Sequence, residues 1–263
     1  MFHTLDGHRV HSLSFGAGSG TLVGIAGSFA DWEIWAPTFE LLSPNWRVVG
    51  FDQDGVGETK VPLGAITQER RLETLFSVLD AQTVPRCVLA GDSSNATVAI
   101  EAVLRQPERF DGLVIVNGSA WGFDRSGRQR FVTGIREDFD GTLDFFVDLV
   151  FPEPNSGHLK QWLRDIIVRT GPDGVARILE SYYQVDLRDR LGDIRVPTMV
   201  IHGMLDALSE SSLEDAQELA DAIPSSELHL LENAGHLALL SSPESVAELL
   251  GTFLAAHSAQ RES

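Results

Sequence analysis

Short apolar runs alternate with amphipathic segments along the first half of the chain. The runs at 21–26, 46–51, 87–90 and 112–116 are apolar at most positions, not only at every second one. Strands of this kind are typical of a parallel sheet that helices cover on both faces. The clearest helical pattern between the runs begins after Thr67, a residue type suited to a helix N-cap. The first half of the chain therefore predicts strands that alternate with helices.

A helical insertion interrupts this alternation near the middle of the chain. From about Ser119 to Arg190, helical patterns dominate and we find no convincing strand. Strand patterns then return at 198–203 and 227–231. The sequence therefore predicts an α/β core over residues 1–118 and 191–263, with a helical cap over residues 119–190.

The composition is that of a globular chain with a strong negative charge. Of the 263 residues, 43% are hydrophobic and 22% are charged, and the net charge is −18 at pH 7. Such a chain repels nucleic-acid phosphates and anionic membranes. No apolar run reaches the roughly 18 residues that span a bilayer, and the N-terminus lacks the pattern of a signal peptide. We therefore expect a cytoplasmic protein with no nucleic-acid or membrane partner.

A strand, a sharp turn and a helix are predicted in succession at 88–100. The apolar run ends at Gly91, two serines follow, and small or apolar residues then recur at helical spacing. The segment Gly91-Asp92-Ser93 matches the first three positions of the motif G-x-S-x-G, the nucleophile elbow. In that motif a strained turn lifts a serine hydroxyl out of the backbone, so the segment indicates nucleophilic chemistry.

The two serines of this segment do not fit the motif equally well. Ser93 has a glycine two positions before it, although Asn95 stands where the second glycine is expected. Ser94 would need Asp92 and Ala96 as its small neighbours, and Asp92 is not small. The motif therefore favours Ser93 as the nucleophile and leaves Ser94 as the rival.

A serine hydroxyl is a poor nucleophile near neutral pH and needs a base, which an acid must orient. Asp206 follows the first strand pattern after the insertion, and His236 follows the next one. Functional groups of open α/β sheets collect at the carboxyl edge of the strands, where Ser93 also lies. A rival acid would have to follow the sixth strand, where Asp124 is the nearest and stands too far along the chain.

The chain order serine, aspartate, histidine is that of the catalytic residues in the α/β-hydrolase superfamily, and nearly the whole chain resembles that superfamily. The resemblance also rests on the glycine-rich loop 52–59 and on the segments 202–206 and 233–236. Within the superfamily, the chain resembles the branch of small bacterial capped esterases, enol-lactonases and sensor-type hydrolases. It implies an α/β-hydrolase fold: a mostly parallel eight-stranded sheet with helices on both faces and a helical cap after the sixth strand.

The resemblance also implies a role for each candidate residue. Ser93 would be the nucleophile, His236 the general base and Asp206 the acid that orients it. The oxyanion hole would use the backbone N–H of Ser94, together with an N–H from the loop after the third strand. In that loop Ser28 is the favoured donor, and the next residue is the alternative.

Asp92 and several aromatic residues each have two interpretations. Asp92 is either a solvated or backbone-capping carboxylate, or a group that tunes the site by raising the pKa of His236. The aromatic candidates could line an apolar substrate pocket under the cap, although core packing is the commoner role of such residues. The preferred pocket candidates are Phe29, Trp32 and Trp121, and the others are Phe123, Phe145, Phe146, Tyr182 and Tyr183.

The sequence predicts a serine hydrolase that cleaves a small, apolar or aromatic ester or lactone through an acyl-enzyme. We expect no cofactor, because the hydrolytic reaction needs none, and no metal, because no metal-binding motif is present. Alternative hypotheses keep the same three residues for C–C bond hydrolysis, cofactor-free haloperoxidase chemistry or lyase chemistry. A further alternative is a ligand sensor with slow turnover, since the fold alone does not choose among these.

Overall fold

The strands pair into one eight-stranded sheet in the computed structural model, which describes residues 1–122, 125–208 and 212–258. They are β1 (Phe2–Leu5), β2 (His8–Phe15), β3 (Thr21–Ile25), β4 (Arg47–Phe51), β5 (Cys87–Asp92), β6 (Phe110–Val116), β7 (Thr198–Gly203) and β8 (Ser226–Leu231). Their order is β1-β2-β4-β3-β5-β6-β7-β8; the pairs β1–β2 and β2–β4 are antiparallel, and all the other pairs are parallel. The predicted mostly parallel sheet is confirmed.

Helices cover both faces of this sheet because its central strands are apolar on both sides. They are α1 (Ala36–Leu42), α2 (Gln68–Ala81), α3 (Ala96–Arg105), α4 (Arg125–Glu137), α5 (Phe139–Val150), α6 (Gly157–Tyr182), α7 (Leu213–Ala222), α8 (Ala238–Ser241) and α9 (Pro243–Ser258). One face packs against α1, α8 and α9, and the other packs against α2, α3 and α7. Within the described residues, no helix has the length and apolarity needed to cross a membrane.

Helices α4, α5 and α6 lie between β6 and β7 and form what we call the cap. They pack against one another, and their apolar side chains continue the core on the α1 face of the sheet. The sequence pattern did not predict α4, because most of its residues are polar and only a short apolar stripe, including Val132 and Ile135, is buried. The insertion follows the sixth strand as predicted, and the boundaries 119–190 stay a prediction.

A tight turn joins β5 to the short helix that leads into α3. Ser93 has a φ angle of +53°, in the left-handed region that non-glycine residues seldom adopt. A Cβ atom on Gly91 would lie 2.8 Å from the Cβ of Ala99 and 2.9 Å from the Cα of Ala96. Strand and helix therefore touch at Gly91, and this contact holds Ser93 at the carboxyl edge of the sheet.

Replacing Gly91 should destabilise the fold because strand β5 and helix α3 leave no room for a methyl group. We expect Gly91→Ala to lower the free energy of unfolding by about 1–3 kcal/mol, as overpacking usually does. Gly64→Ala is the matched control, since a Cβ atom there meets nothing within 4 Å. It should change the free energy by less than about 0.5 kcal/mol in the same urea titration. Equal effects of the two substitutions would contradict the packing argument.

Candidate active site

Three side chains at the carboxyl edge of the sheet form one hydrogen-bonded chain. Ser93 follows β5, Asp206 follows β7 and His236 follows β8. The His236 Nε2 atom lies 2.9 Å from Ser93 Oγ, and its Nδ1 atom lies 2.7 Å from Asp206 Oδ2. The Asp206 side chain is fully buried and that of His236 is only 6% exposed. The structure therefore brings the three predicted catalytic residues together, and Ser93 rather than Ser94 meets the imidazole.

The carboxylate of Asp206 is held by two further donors. Asn117 Nδ2 donates to Asp206 Oδ2 over 2.9 Å, and the backbone N–H of Leu208 donates to Oδ1 over 2.9 Å. Asn117 directly follows β6, with a left-handed φ of +45°. The sequence pattern did not predict a role for this amide. Its hydrogen bond orients the carboxylate towards the histidine.

The cap supports the loop that carries His236. The backbone N–H of His236 donates to the carbonyl of Val150 over 3.1 Å, at the end of α5. The backbone N–H of Gly235 donates to Glu153 Oε1 over 2.5 Å. Sequence patterns do not show these contacts, because they join residues more than eighty positions apart. The position of the imidazole therefore depends on the cap as well as on the sheet.

The residues predicted to supply the oxyanion hole also meet through their side chains. Ser28 Oγ lies 2.6 Å from Ser94 Oγ and 3.3 Å from the hydroxyl of Tyr182, which comes from the end of α6. All three side chains are buried. Within the described residues, the backbone N–H of Ser28 has no hydrogen-bond acceptor.

Asn95, which stands where the motif expects a second glycine, ties two loops of the site together. Its Nδ2 donates to the carbonyl of Ala26 over 2.5 Å, and its Oδ1 accepts from the fully buried guanidinium of Arg71 over 3.2 Å. Ala26 begins the loop that contains Ser28. The side chain of Asn95 therefore fixes this loop against the turn that carries Ser93.

Asp92 is buried directly beside the nucleophile. Its side chain is inaccessible from bulk solvent, and neither carboxyl oxygen has a hydrogen-bond partner within the described residues. Burial raises the pKa of Asp92 to about 7; His236 and the facing N–H of Gly27 lower it, and Asp206 raises it. The hypothesis of a solvated or capping carboxylate is therefore wrong, because Asp92 points inward and makes no cap hydrogen bond.

A cavity of about 680 Å³ lies at Ser93 between the sheet edge and the cap. Its apolar lining is Phe29, Ala30, Ile34, Phe131, Phe145, Phe146, Leu149, Val150, Leu163, Leu179, Ala207, Leu208 and Leu237. Its polar lining is Ser28, Asp92, Ser93, Arg130, Asp138, Thr142, Tyr182, Tyr183 and His236. Within the described ranges, no group of three or more His, Cys, Asp or Glu residues is placed to hold a metal ion. The cavity thus suits an apolar small molecule with few polar groups.

Trp32 does not line this cavity, contrary to the expectation from its position after β3. Its Cβ atom lies against Gly50 in β4, where an added methyl group would approach it to 3.2 Å. Its backbone N–H donates to Asp52 Oδ1 over 3.3 Å. The short helix that starts at Trp32 turns this side chain towards β4 and away from Ser93.

Trp121 is the second incorrect pocket candidate. It forms an isolated β-bridge with Asp186, and its ring centre lies 5.1 Å from the guanidinium carbon of Arg188. The ring packs against the core on the α2 face of the sheet, not on the α1 face that the cap extends. The other predicted pocket residue on this segment, Phe123, and the rival acid Asp124 lie outside the described residues.

Comparison with known proteins shows the class to which this fold and site belong. A model described as "Alpha/beta hydrolase family" matches residues 22–249. The chain therefore belongs to the alpha/beta hydrolase family.

Individual proteins resemble this chain over most of its length. The chain is 30% identical to a pimeloyl-[acyl-carrier protein] methyl ester esterase of Aliivibrio salmonicida, over 87% of this chain and 90% of that protein. It is 25% identical to the karrikin insensitive 2 receptor CA of Petunia hybrida, over 93% and 94%. A solved hydrolase from Pseudomonas aeruginosa PA01 superposes with a TM-score of 0.88 at 26% identity, over 97% of both chains. Such similarities support hydrolase activity for this chain.

The buried carboxyl of Asp92 should make stability depend on pH. Its pKa is raised to about 7 from 3.8, so the folded state binds more protons than the unfolded state between these values. Wild-type stability should therefore fall, relative to Asp92→Asn, as pH rises from about 4 to about 7. At about 1.4 kcal/mol for each pKa unit, the stability of Asp92→Asn relative to wild type should rise by no more than about 4 kcal/mol between pH 4 and pH 8.

Thermal unfolding of both proteins at pH 4, 6 and 8 measures this effect. Asp173→Asn is the control, because it makes the same substitution at an exposed position. A constant difference between wild type and Asp92→Asn across this range would contradict the burial of an unpaired carboxyl.

Proposed function

We propose that this chain is a serine hydrolase that cleaves a small ester or lactone through an acyl-enzyme. The observation that carries the proposal is the hydrogen-bonded chain from Ser93 through His236 to Asp206, which opens into an apolar cavity. A nucleophile, a base and an orienting acid in this geometry are what acyl transfer requires.

In the acylation step, Ser93 Oγ attacks the carbonyl carbon of the substrate while His236 Nε2 accepts the hydroxyl proton. Asp206 holds the Nδ1–H of the ring and stabilises the imidazolium that forms. His236 then gives the proton to the leaving oxygen, and the acyl group stays on Ser93. A water molecule releases the acid by the same steps, with His236 as its base.

Backbone N–H groups of Ser94 and Ser28 stabilise the oxyanion in this proposal, with the N–H of Phe29 as the alternative to that of Ser28. The Ser28–Ser94 hydroxyl contact and the anchoring of the loop by Asn95 support this arrangement, since both hold the two loops at fixed separation. A preorganised donor of this kind typically lowers the activation barrier by about 3–4 kcal/mol.

The cavity supports a substrate with a small apolar or aromatic group. Phenylalanine and leucine side chains make up much of its lining, and Phe29 lies edge-on to Phe146 of the cap at 5.3 Å between ring centres. One of the relatives is named as a methyl ester esterase, which agrees with ester chemistry at this site.

Covalent labelling tests the proposal. Wild-type protein should react with a fluorophosphonate probe, and Ser93→Ala should not. Ser94→Ala is the matched control, because it removes the neighbouring hydroxyl but keeps the backbone N–H, and it should still be labelled. Among p-nitrophenyl esters and lactones that the wild type hydrolyses, Ser93→Ala should lose about 10³-fold or more in kcat. Failure of the wild-type protein to react with the probe would contradict the proposal.

Asp92 tunes the histidine in this proposal. When ionised, its carboxylate favours the imidazolium form of His236, because the two groups attract each other. Asp206 is the other charged group that acts on Asp92, and it is present in both proteins. Asp92→Asn should therefore shift the acid limb of the kcat/KM profile to lower pH. An acid limb at the same pH in both proteins would rule out this tuning.

A ligand sensor with slow turnover is the second candidate. The similarity to a plant receptor over nearly the whole chain favours it, together with the cavity beneath the cap. Fluorophosphonate labelling without turnover of any ester or lactone, combined with a thermal shift on ligand binding, would favour this function over that of an esterase.

A further inference from the structure

Two hydroxyl groups of helix α6 contact the loop after β3, residues 26–31. The hydroxyl of Thr170 donates to the carbonyl of Phe29 over 3.3 Å, and that of Tyr182 lies 3.3 Å from Ser28 Oγ. Ser28 and Phe29 are the candidates for the second oxyanion donor. The cap therefore contacts the part of this loop whose position matters most for acyl transfer.

Arg169, which precedes Thr170 in α6, binds two carboxylates at the end of the same loop. Its Nη2 atom lies 3.0 Å from Asp31 Oδ2, and its Nη1 donates to Glu33 Oε1 over 2.8 Å. The side chain of Asp31 is only 4% exposed. Its Oδ1 accepts from the N–H of Glu33 over 3.1 Å and caps the short helix that begins at Trp32. One guanidinium of the cap therefore holds both the end of the loop and the helix that follows it.

Three acidic residues meet near the end of this loop, so its position depends on a cation. Burial raises the pKa of Asp31 to about 6; Asp52 and Glu33 raise it further, whereas the N–H of Glu33 and the charge of Arg169 lower it. Asp52 also lies 2.9 Å from His11 Nδ1. Removal of one partner from a largely buried ion pair leaves an uncompensated charge. Without the guanidinium, repulsion among the carboxylates would displace the loop from the cap.

We propose that Arg169 is a positioning residue for the oxyanion hole, because through Asp31 and Glu33 it holds the loop after β3 against the cap. This inference rests on the proposed serine hydrolase function. Arg169 does not line the cavity at Ser93, so it acts through the loop and not on the substrate. A shift of about 1 Å in a group that acts on the transition state costs about 100-fold in rate.

Arg164 provides a matched control for this role. It lies in the same helix and also binds two carboxylates, with Nη2 2.6 Å from Asp140 Oδ1 and Nε 2.8 Å from Asp144 Oδ1. Both of these partners belong to α5 of the cap, so substitution of Arg164 leaves the contacts of the loop intact. The two arginine side chains are 26% and 46% exposed, for Arg164 and Arg169 respectively. Exposed ion pairs contribute little to stability, so both variants should fold.

The rate of fluorophosphonate labelling measures the positioning of the oxyanion hole. The phosphoryl oxygen of the probe gains negative charge as Ser93 attacks and needs the same donors. The second-order rate constant, expressed per reactive site from the endpoint of labelling, should fall about 10- to 100-fold in Arg169→Gln. In Arg164→Gln it should stay at the wild-type value. For a p-nitrophenyl ester that the wild type hydrolyses, kcat should fall by a similar factor in Arg169→Gln while KM changes by less than about 3-fold.

The double variant Asp31→Asn/Glu33→Gln tests whether Arg169 acts through these two carboxylates. The amides keep the shapes of both side chains, and the one at position 31 still accepts the hydrogen bond that caps the short helix. When Arg169→Gln is added to this variant, the labelling rate should change by less than about 2-fold, because the partners of the guanidinium are already lost. If the double variant does not fold, the comparison of Arg169→Gln with Arg164→Gln decides the question.

Several outcomes would overturn the inference. They are an unchanged labelling rate in Arg169→Gln, an equal loss in Arg164→Gln, and a full effect of Arg169→Gln in the double variant. A lower endpoint with an unchanged rate per site indicates partial unfolding, and a raised KM with unchanged kcat indicates contact with the substrate; each contradicts a positioning role. Failure of the wild type to react with the probe contradicts the proposed function itself, whereas wild-type labelling without an effect of Arg169→Gln contradicts only this inference.

Discussion

Close packing around the turn of Ser93 is the constraint on which the site depends. The left-handed backbone of Ser93 is unfavourable for a residue with a side chain, typically by about 1–3 kcal/mol. The contact between β5 and α3 at Gly91 holds this turn in place. Gly27, which has no side chain, lets the loop after β3 pack closely against Asp92 and Ser93. A side chain at Gly91 would push β5 away from α3, and one at Gly27 would push the loop after β3 away from the turn of Ser93.

Long-range hydrogen bonds then fix the loops around this turn. Asn95 holds the loop at Ala26, and Asn117 orients the carboxylate of Asp206. Glu153 anchors the loop of His236 to the cap. The site is thus a meeting point of separate loops, each tied to a neighbour by a buried or partly buried polar contact. Preorganisation of this kind reduces the rearrangement that is needed when charge develops in a transition state.

The same enclosure gives neighbouring carboxyl groups different properties. Asp206 receives hydrogen bonds from an amide side chain, a backbone N–H and the histidine, which suits it to the proposed role of orienting acid. Asp92 is equally buried but receives none within the described residues, and its pKa rises to about 7. Differences in local hydrogen bonding, and not in residue type, therefore separate the two roles.

The sequence alone determined the sheet, its mostly parallel pairing and the chain order of Ser93, Asp206 and His236. These features follow from local hydrophobic patterns and from the rule that parallel strands present their carboxyl ends at one edge. Which side chains face the cavity was decided only by the tertiary structure. Trp32 and Trp121 follow strands at that edge as Phe29 does, yet contacts with β4 and with the α2-face core turn them away. The burial of Asp92 and the bridge formed by Asn95 likewise depend on residues distant in sequence, which periodicity and motifs do not reveal.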